Sequence, residues 1–552
     1  MGRYSVKFFF KPGRAVVLIF SLYLLTGIFI YKDYGISLDE PIERWTSLIN
    51  YVHVMGGNMR TSDSDAVRNI ADGIPDLMTW HDRYYGVALQ NITTTIEHLL
   101  GFSMSWRDAI LLRHIFTFFN YFIAGICFYL ILRRRFTNTW IPLLGLLLYI
   151  LYPRFFGESF YNIKDILFYS WLIIASCFVL RWLEDGKVKF LLPAAAALAL
   201  ATNTRILGLS LLLLACAFTV IMNIWPKADF KRAILKPLQL FATTFIFYIV
   251  VTPFLWENPF KNTIATFLHF IQYETWNGTH LYLGKMITSE VPWHYIPVWM
   301  GVTIPLLYIV LFLIGAAAIC AGIGACIKVL VSRPAAKGRN PELRFHSPPK
   351  LHLYDLFFTA LFFCTLLGYI ILNINMYEGW RHAYSLFCPF LYIAVYGLAR
   401  VFDFTRGKHA ALRRGLVCVA AVCLSYQLIW ITINHPYQYV YFNTLGRQVA
   451  ERNFTLDYWD VSHNDLIRYA LAHNDSPQIT ISSVYGSGYQ NFFFTADENA
   501  RVVWADAANA EYYIQHTRML YEDRTPPPGF TELKAITVDG MKISILYKRN
   551  SY

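Results

Sequence analysis

The chain has 552 residues, of which 56% are hydrophobic, 17% aromatic and only 15% charged. That balance is too apolar for an ordinary soluble enzyme and reads as a polytopic membrane protein. The net charge of +12 does not point to nucleic acid, because Lys and Arg collect in short segments between apolar runs, as a topology signal does.

A bilayer core of roughly 30 Å takes about 20 apolar residues per helix. Apolar runs fall near 15–31, 108–131, 138–153, 165–182, 189–203, 205–224, 235–255, 295–327, 354–374, 383–399 and 412–433, which predicts about eleven transmembrane helices. Arg3, Lys7, Lys11 and Arg14 precede the first run, which shows no small-residue cleavage site and is expected to remain as an anchor. The nine cysteines sit in or beside apolar runs without a CxxC pair, so neither a disulfide framework nor a cysteine metal site is expected.

Within 32–107, Ile42, Trp45, Leu48, Ile49 and Val52 recur at helical spacing, as do Leu89, Ile92, Ile96 and Leu99. Two amphipathic helices lying on the membrane surface are predicted. The basic segments 133–135, 181–189, 227–236, 328–350 and 400–414 share the side of the N-terminus, which the positive-inside rule makes cytoplasmic. The stretch 32–107, short loops at 154–164 and 203–205, the stretch 256–294, the turn 375–382 and everything after 434 then face outward. Past 434 the composition changes: "DLIRYALAHN" reads as a helix, and "QITISSV", "RVVW", "AEYYIQ", "FTELKAITV" and "MKISILYK" as strands. A membrane domain at 1–434 followed by a small extracytoplasmic α/β domain at 435–552 is expected.

The outward loops carry charged residues close to helix ends: Asp39 and Glu40; Arg154, Glu158, Lys164 and Asp165; Arg205; Lys285 and His294; and Glu378, Arg381 and His382. Arg and Lys on this side oppose the topology bias, and an anionic ligand is one local reason for them. Each also has a plainer account. Asp39 or Glu40 ahead of Pro41 suits a helix start, Arg154 and Lys164 suit snorkelling to headgroups, and His294 and His382 suit an interfacial belt. In "LDEP" one carboxylate can cap while the other faces a cavity. Arg205 sits at a corner so tight that it is either a headgroup anchor or a phosphate ligand, guanidinium matching phosphate through paired donors.

Taken in order, the acidic pair after the first span, "PRFFGESFYNIKD", "NTRILG", "YLGKMITSEVPWHYIP" and "GWRHAYSLFCP" resemble bacterial membrane glycosyltransferases of the GT-C fold. More narrowly they resemble the glycosyltransferase 39 family, which holds protein O-mannosyltransferases and the aminoarabinose transferase of lipid A. The resemblance covers roughly residues 10–435. It implies an inverting transfer of sugar from a polyprenyl phosphate, undecaprenyl phosphate in bacteria, to a lipid, glycan or protein acceptor, on the outer face of a bacterial cytoplasmic membrane. It places Asp39 in catalysis with Glu40 assisting, and assigns Lys164, Arg205 and Arg381 to the donor phosphate. Arg154, Glu158, Asp165, His294 and His382 would line the same cavity. The chain lacks the long lumenal insertion of the fungal enzymes, which weakens the case for a protein acceptor.

The residue types suit that chemistry, which needs a base for the acceptor hydroxyl and cations for the departing phosphate. Whether a divalent cation bridges Asp39, Asp165 and phosphate is left open; the ligands are hard enough for one. Two other functions stay in view. A lipid-linked-sugar flippase or transporter would place its charges near the bilayer midplane, and a whole-glycan ligase would differ only in donor size.

Overall fold

The computed structural model describes residues 12–55, 74–100, 105–224, 229–271, 278–331, 351–406, 410–483 and 488–550. Arg3, Lys7 and Lys11, most of the basic loop 328–350 and the middle of the stretch 32–107 lie outside the described residues.

Backbone removed from water has to satisfy its own N–H and C=O groups, so the long apolar runs become helices. The order is α1 (Pro12–Ile30), α2 (Glu40–Met55), α3 (Ala88–Leu99), α4 (Trp106–Arg135), α5 (Trp140–Ile150), α6 (Pro153–Tyr161), α7 (Asp165–Asp185), α8 (Val188–Thr204), α9 (Gly208–Ile224) and α10 (Phe230–Val251). There follow α11 (Pro259–Ile271), a small hairpin of β1 (His280–Tyr282) and β2 (Lys285–Ile287), then α12 (Tyr295–Thr303), α13 (Leu306–Val331) and α14 (Leu353–Ile371). A tight turn at Arg381–Leu386 leads into α15 (Phe387–Phe404), and α16 (Ala410–Ile433) completes the apolar set.

The chain is a polytopic helical membrane protein. Among the described residues eight helices are long and apolar enough to cross a membrane, or nine if α5 and α6, bent by 61°, make one broken span. Helices occupy all eleven predicted positions; α8 and α9, with 17 residues each, stand at the short end of the roughly 17–25 residues that a crossing takes.

Two local expectations are corrected. The stretch 154–164 is largely helix α6 rather than a loop, and every residue of that helix is buried. Pro153 occupies the first helical position, where its missing N–H is harmless, and Phe155, Phe156, Phe160 and Tyr161 carry the helix into the main core. The run 295–327 is broken between α12 and α13, because Pro305 forces the preceding Ile304 to an extended conformation (ψ 136°).

Close packing at α13 and α15 depends on two glycines. A Cβ on Gly315 would lie 2.0 Å from the Ile393 carbonyl oxygen, and one on Gly397 would lie 2.0 Å from that of Leu311. Small residues of this kind let membrane helices approach backbone to backbone.

After α16 come α17 (Ala450–Asn453), α18 (His463–Ala472), β3 (Ile479–Ser483), α19 (Ala496–Arg501), β4 (Val502–Trp504), β5 (Tyr512–His516), β6 (Phe530–Val538) and β7 (Met541–Arg549). The five strands form one mixed sheet in the order β4-β3-β5-β7-β6, parallel across β4-β3-β5 and antiparallel at β7. The sheet and α18 bury a cluster of their own around Leu466, Ile481, Ile514 and Leu546. The segment joining α16 to that unit behaves differently, since Tyr439, Phe442, Phe454 and Trp459 belong to the same core as the membrane helices.

In α2 the predicted apolar positions Ile42, Trp45, Leu48 and Val52 are only half-buried, while Glu43, Arg44, Thr46, Ser47 and Asn50 are buried. In α3, Ile92 and Leu99 are exposed and Gln90, Thr93, Thr94 and Glu97 are buried. Both helices turn polar residues to the protein, together with the predicted apolar positions Ile49 and Leu89, which are buried.

Candidate functional site at one end of the bundle

The acidic pair splits at the start of α2. Glu40 reaches back to the preceding turn, its Oε2 accepting from the Ser37 N–H at 2.7 Å and the Ser37 hydroxyl at 3.1 Å, the carboxylate half of a capping box. Its Oε1 lies 2.9 Å from Nε2 of His114, and neither side chain is exposed. Glu40, expected beside Asp39 in catalysis, is therefore turned into the fold.

Asp39 faces the other way. Its Oδ2 accepts from Nη1 of Arg381 at 2.6 Å, and the side chain keeps 27% of its exposure. One helical turn on, Glu43 pairs with Lys164. Asp165, at the start of α7, pairs with Arg205 in the extended corner between α8 and α9. The Asn162 side chain fixes that end of α7 by accepting from the Asp165 N–H at 2.8 Å.

These pairs act on one another. Burial by itself would raise the Asp39 carboxyl, but Arg381, Lys164 and Arg205 together outweigh it and hold the group below the ordinary carboxylate range. At Glu43 burial prevails over Lys164 and the carboxyl is raised. Two carboxylates one turn apart are thus pushed in opposite directions, an arrangement that can divide acid and base roles.

A cavity of about 400 Å³ opens alongside, walled by Tyr84, Tyr85, Tyr248, Phe270 and Tyr377 and reached by Arg205 and His382. The Lys164 ammonium lies 4.1 Å above the Tyr85 ring, and the Arg381 guanidinium 5.1 Å from that of Tyr377. The ion pairs therefore border the cavity through these two tyrosines. Arg205 Nε and His382 Nδ1 have no hydrogen-bond partner among the described residues.

Five of the expected residues, Asp39, Lys164, Asp165, Arg205 and Arg381, are brought together, and His382 joins them at the cavity. Arg154, Glu158 and His294 are placed elsewhere. Arg154 is buried, with Nε donating to the Tyr441 carbonyl at 2.8 Å and the guanidinium 4.9 Å from the Phe442 ring. Glu158 accepts from the Tyr384 hydroxyl at 2.6 Å, the Tyr458 hydroxyl at 3.1 Å and the Asn162 amide at 2.7 Å. His294 Nδ1 lies 2.7 Å from the Tyr282 hydroxyl. Among the described residues no group of three or more His, Cys, Asp or Glu side chains could hold a metal ion, and Asp39 and Asp165 each face an arginine.

Sequence reading passed over Glu43, although its place four residues after Asp39 puts it on the same helix face. It also passed over Trp459, whose ring lies 4.7 Å from the Arg381 guanidinium. No local pattern marks a residue so far along the chain.

No family model matches this chain, and no curated protein matches it. Among solved structures it is similar to the crystal structure of ArnT from Cupriavidus metallidurans in the apo state. The two are 14% identical, with 97% of this chain and 98% of that chain covered at a TM-score of 0.47.

Proposed function

We propose that this chain is an inverting glycosyltransferase of the GT-C type, moving a sugar from a polyprenyl phosphate to a lipid, glycan or protein acceptor of the cell envelope. The observation that carries the reading is the convergence of Lys164, Arg205 and Arg381, from three distant parts of the sequence, beside one aromatic-walled cavity with Asp39 among them.

In this reading the donor phosphate lies against the three cations. The acceptor hydroxyl gives its proton to the Asp39 carboxylate as its oxygen bonds to the anomeric carbon. The bond from that carbon to the phosphate oxygen breaks on the opposite face, and its electron pair leaves with the lipid phosphate, whose charge the cations hold. In the resting pocket the Arg381 pair makes Asp39 a weak base. A phosphate that draws Arg381 toward itself lets the Asp39 carboxyl rise again and gain affinity for the proton, so donor binding arms the base. Glu40 acts indirectly, fixing the first turn of α2 on which Asp39 is mounted.

The inward polar faces of α2 and α3 support the same reading. Their apolar sides suit the membrane interface, where a polyprenyl tail can stay in the bilayer while its headgroup enters the cavity. Aromatic walls suit the faces of a sugar. The resemblance implies a bacterial cytoplasmic membrane, and the basic segments argue for the cluster and the 435–552 domain on its extracytoplasmic face.

The test is release of polyprenyl phosphate from a panel of short-chain lipid-phosphate sugars, with purified protein in nanodiscs and envelope extract as acceptor. Turnover with one sugar, together with donor binding weakened about tenfold in Arg205→Ala, is the expected result. Equal binding by wild type and Arg205→Ala would remove the phosphate role from that residue.

A further inference from the structure

The segment after α16 closes over both partners of the Asp39 pair. On the Asp39 side, the Leu38 N–H donates to the Trp459 carbonyl at 3.2 Å and the Ile36 N–H to the Asn464 side-chain oxygen at 3.3 Å. On the Arg381 side, the Trp459 ring covers the guanidinium.

Behind Arg381 stands a second acid. Glu378 is buried, and its Oε2 lies 3.9 Å from Nη2 of Arg381. Its Oε1 is closer, at 3.2 Å, to Nη1 of Arg518, a residue of the sheet domain. Arg518 is itself held by Asp460 at 3.1 Å and by the Tyr458 carbonyl. Glu378 has φ +55° and is followed by Gly379 at φ +79°. A glutamate held in the left-handed region is strained, and the turn is pinned by the Tyr295 hydroxyl donating to the Gly379 carbonyl at 2.9 Å. The fold thus keeps a buried carboxylate where a less demanding residue would sit more easily. Burial raises that carboxyl, with Arg518 first and then Arg381 opposing the rise.

Arg381 accordingly lies between two carboxylates, and what decides its allegiance is whether Glu378 already has a cation. We propose that Arg518 is a positioning residue of the pocket: by neutralising Glu378 it leaves the Arg381 guanidinium free to serve Asp39 and then the donor phosphate. The sheet domain thereby completes a pocket otherwise built from the membrane helices. This rests on the assignment of Arg381 to the donor phosphate. Without Arg518, the buried Glu378 takes the nearest remaining cation, which is Arg381, and the phosphate has to compete for it.

The experiment uses full-length protein in nanodiscs at mildly alkaline pH, with a short-chain polyprenyl phosphate as the binding probe and turnover followed in parallel. Arg518→Gln should weaken phosphate binding about tenfold and Arg518→Lys much less. Adding Glu378→Gln to Arg518→Gln should bring binding back to within about threefold of wild type, and Glu378→Gln alone should tighten it. Recovery on a second substitution is something a purely structural role does not yield. A double variant as weak as Arg518→Gln overturns the proposal, as does Glu378→Gln binding no more tightly than wild type; the latter readout stands even if Arg518→Gln does not fold. A wild type that binds and turns over, with every variant equal to it, defeats this proposal alone. A wild type that binds no polyprenyl phosphate defeats the donor assignment and this proposal with it.

Discussion

Helix α2 carries two acid–base clusters on its buried side, and they are built differently. In the inner one, Glu97 of α3 is shared by Arg44 at 2.9 Å and by Arg113 of α4. Arg113 also donates to the Thr94 hydroxyl at 3.0 Å, Ser47 and Thr94 join hydroxyls at 2.8 Å, and Trp106 covers Arg44 at 4.0 Å. Arg113 is wholly buried and Glu97 nearly so. In the outer cluster Lys164 and Arg205 each have their own carboxylate while Arg381, only 5% exposed, stands between Asp39 and Glu378, and Asp39, Lys164 and Arg205 keep 27%, 12% and 16% of their exposure beside a cavity. The same residue types thus serve as a fastening where they are closed off by neighbours and, in the function proposed, as exchangeable ligands where they meet open volume.

The largest effect should come from breaking the fastening. Glu97→Gln leaves two arginines without their carboxylate in a site closed to water, and should lower stability by about 3–5 kcal/mol, seen as a large drop in unfolding temperature in detergent. Asp39→Asn, in the open cluster, should cost less than about 1 kcal/mol by the same measurement.

Next comes Arg381→Gln, which should weaken donor binding ten- to thirtyfold. It also removes the main attraction holding the Asp39 carboxyl low. The acid side of the activity profile reports Asp39 gaining its proton, so in this variant that limb should move to higher pH. A limb that stays in place, or moves to lower pH, contradicts the coupling.

A smaller effect is expected at His280, buried in β1, where burial pushes the imidazole down to about 4. The unfolded chain binds this proton as pH falls through about 6.5, and the folded one does not until near the depressed value. Between those limits the unfolded state holds more protons, so stability falls with falling pH by at most about 1.4 kcal/mol per unit. His280→Phe should flatten the dependence of unfolding temperature on pH in that window.

What the sequence made legible follows the range of the forces involved. Apolar runs and strand alternation are local, so all eleven helical positions, the C-terminal helix and its five strands were readable, as was the corner at Arg205. The short loop expected at 154–164 failed because four charges outweighed the aromatic content of α6, whose burial depends on partners as distant as Tyr441 and Phe442. The break before α13 was visible in Pro305 but hidden by an otherwise continuous apolar run. Asp39 and Glu40 could be told to divide two tasks, yet which carboxylate caps depends on Ser37 and His114. Glu378 was noticed as a charge at a helix end, but its place behind Arg381 is set by Arg518, more than a hundred residues later.

The central claim, that Asp39 is the base of a transfer reaction rather than one more fastening, is tested most directly by single-turnover release of polyprenyl phosphate from the lipid-phosphate sugar the wild type accepts, compared with Asp39→Asn in nanodiscs. The account predicts that the variant stays folded and binds donor but releases phosphate about a thousandfold more slowly. Release at the wild-type rate would contradict it.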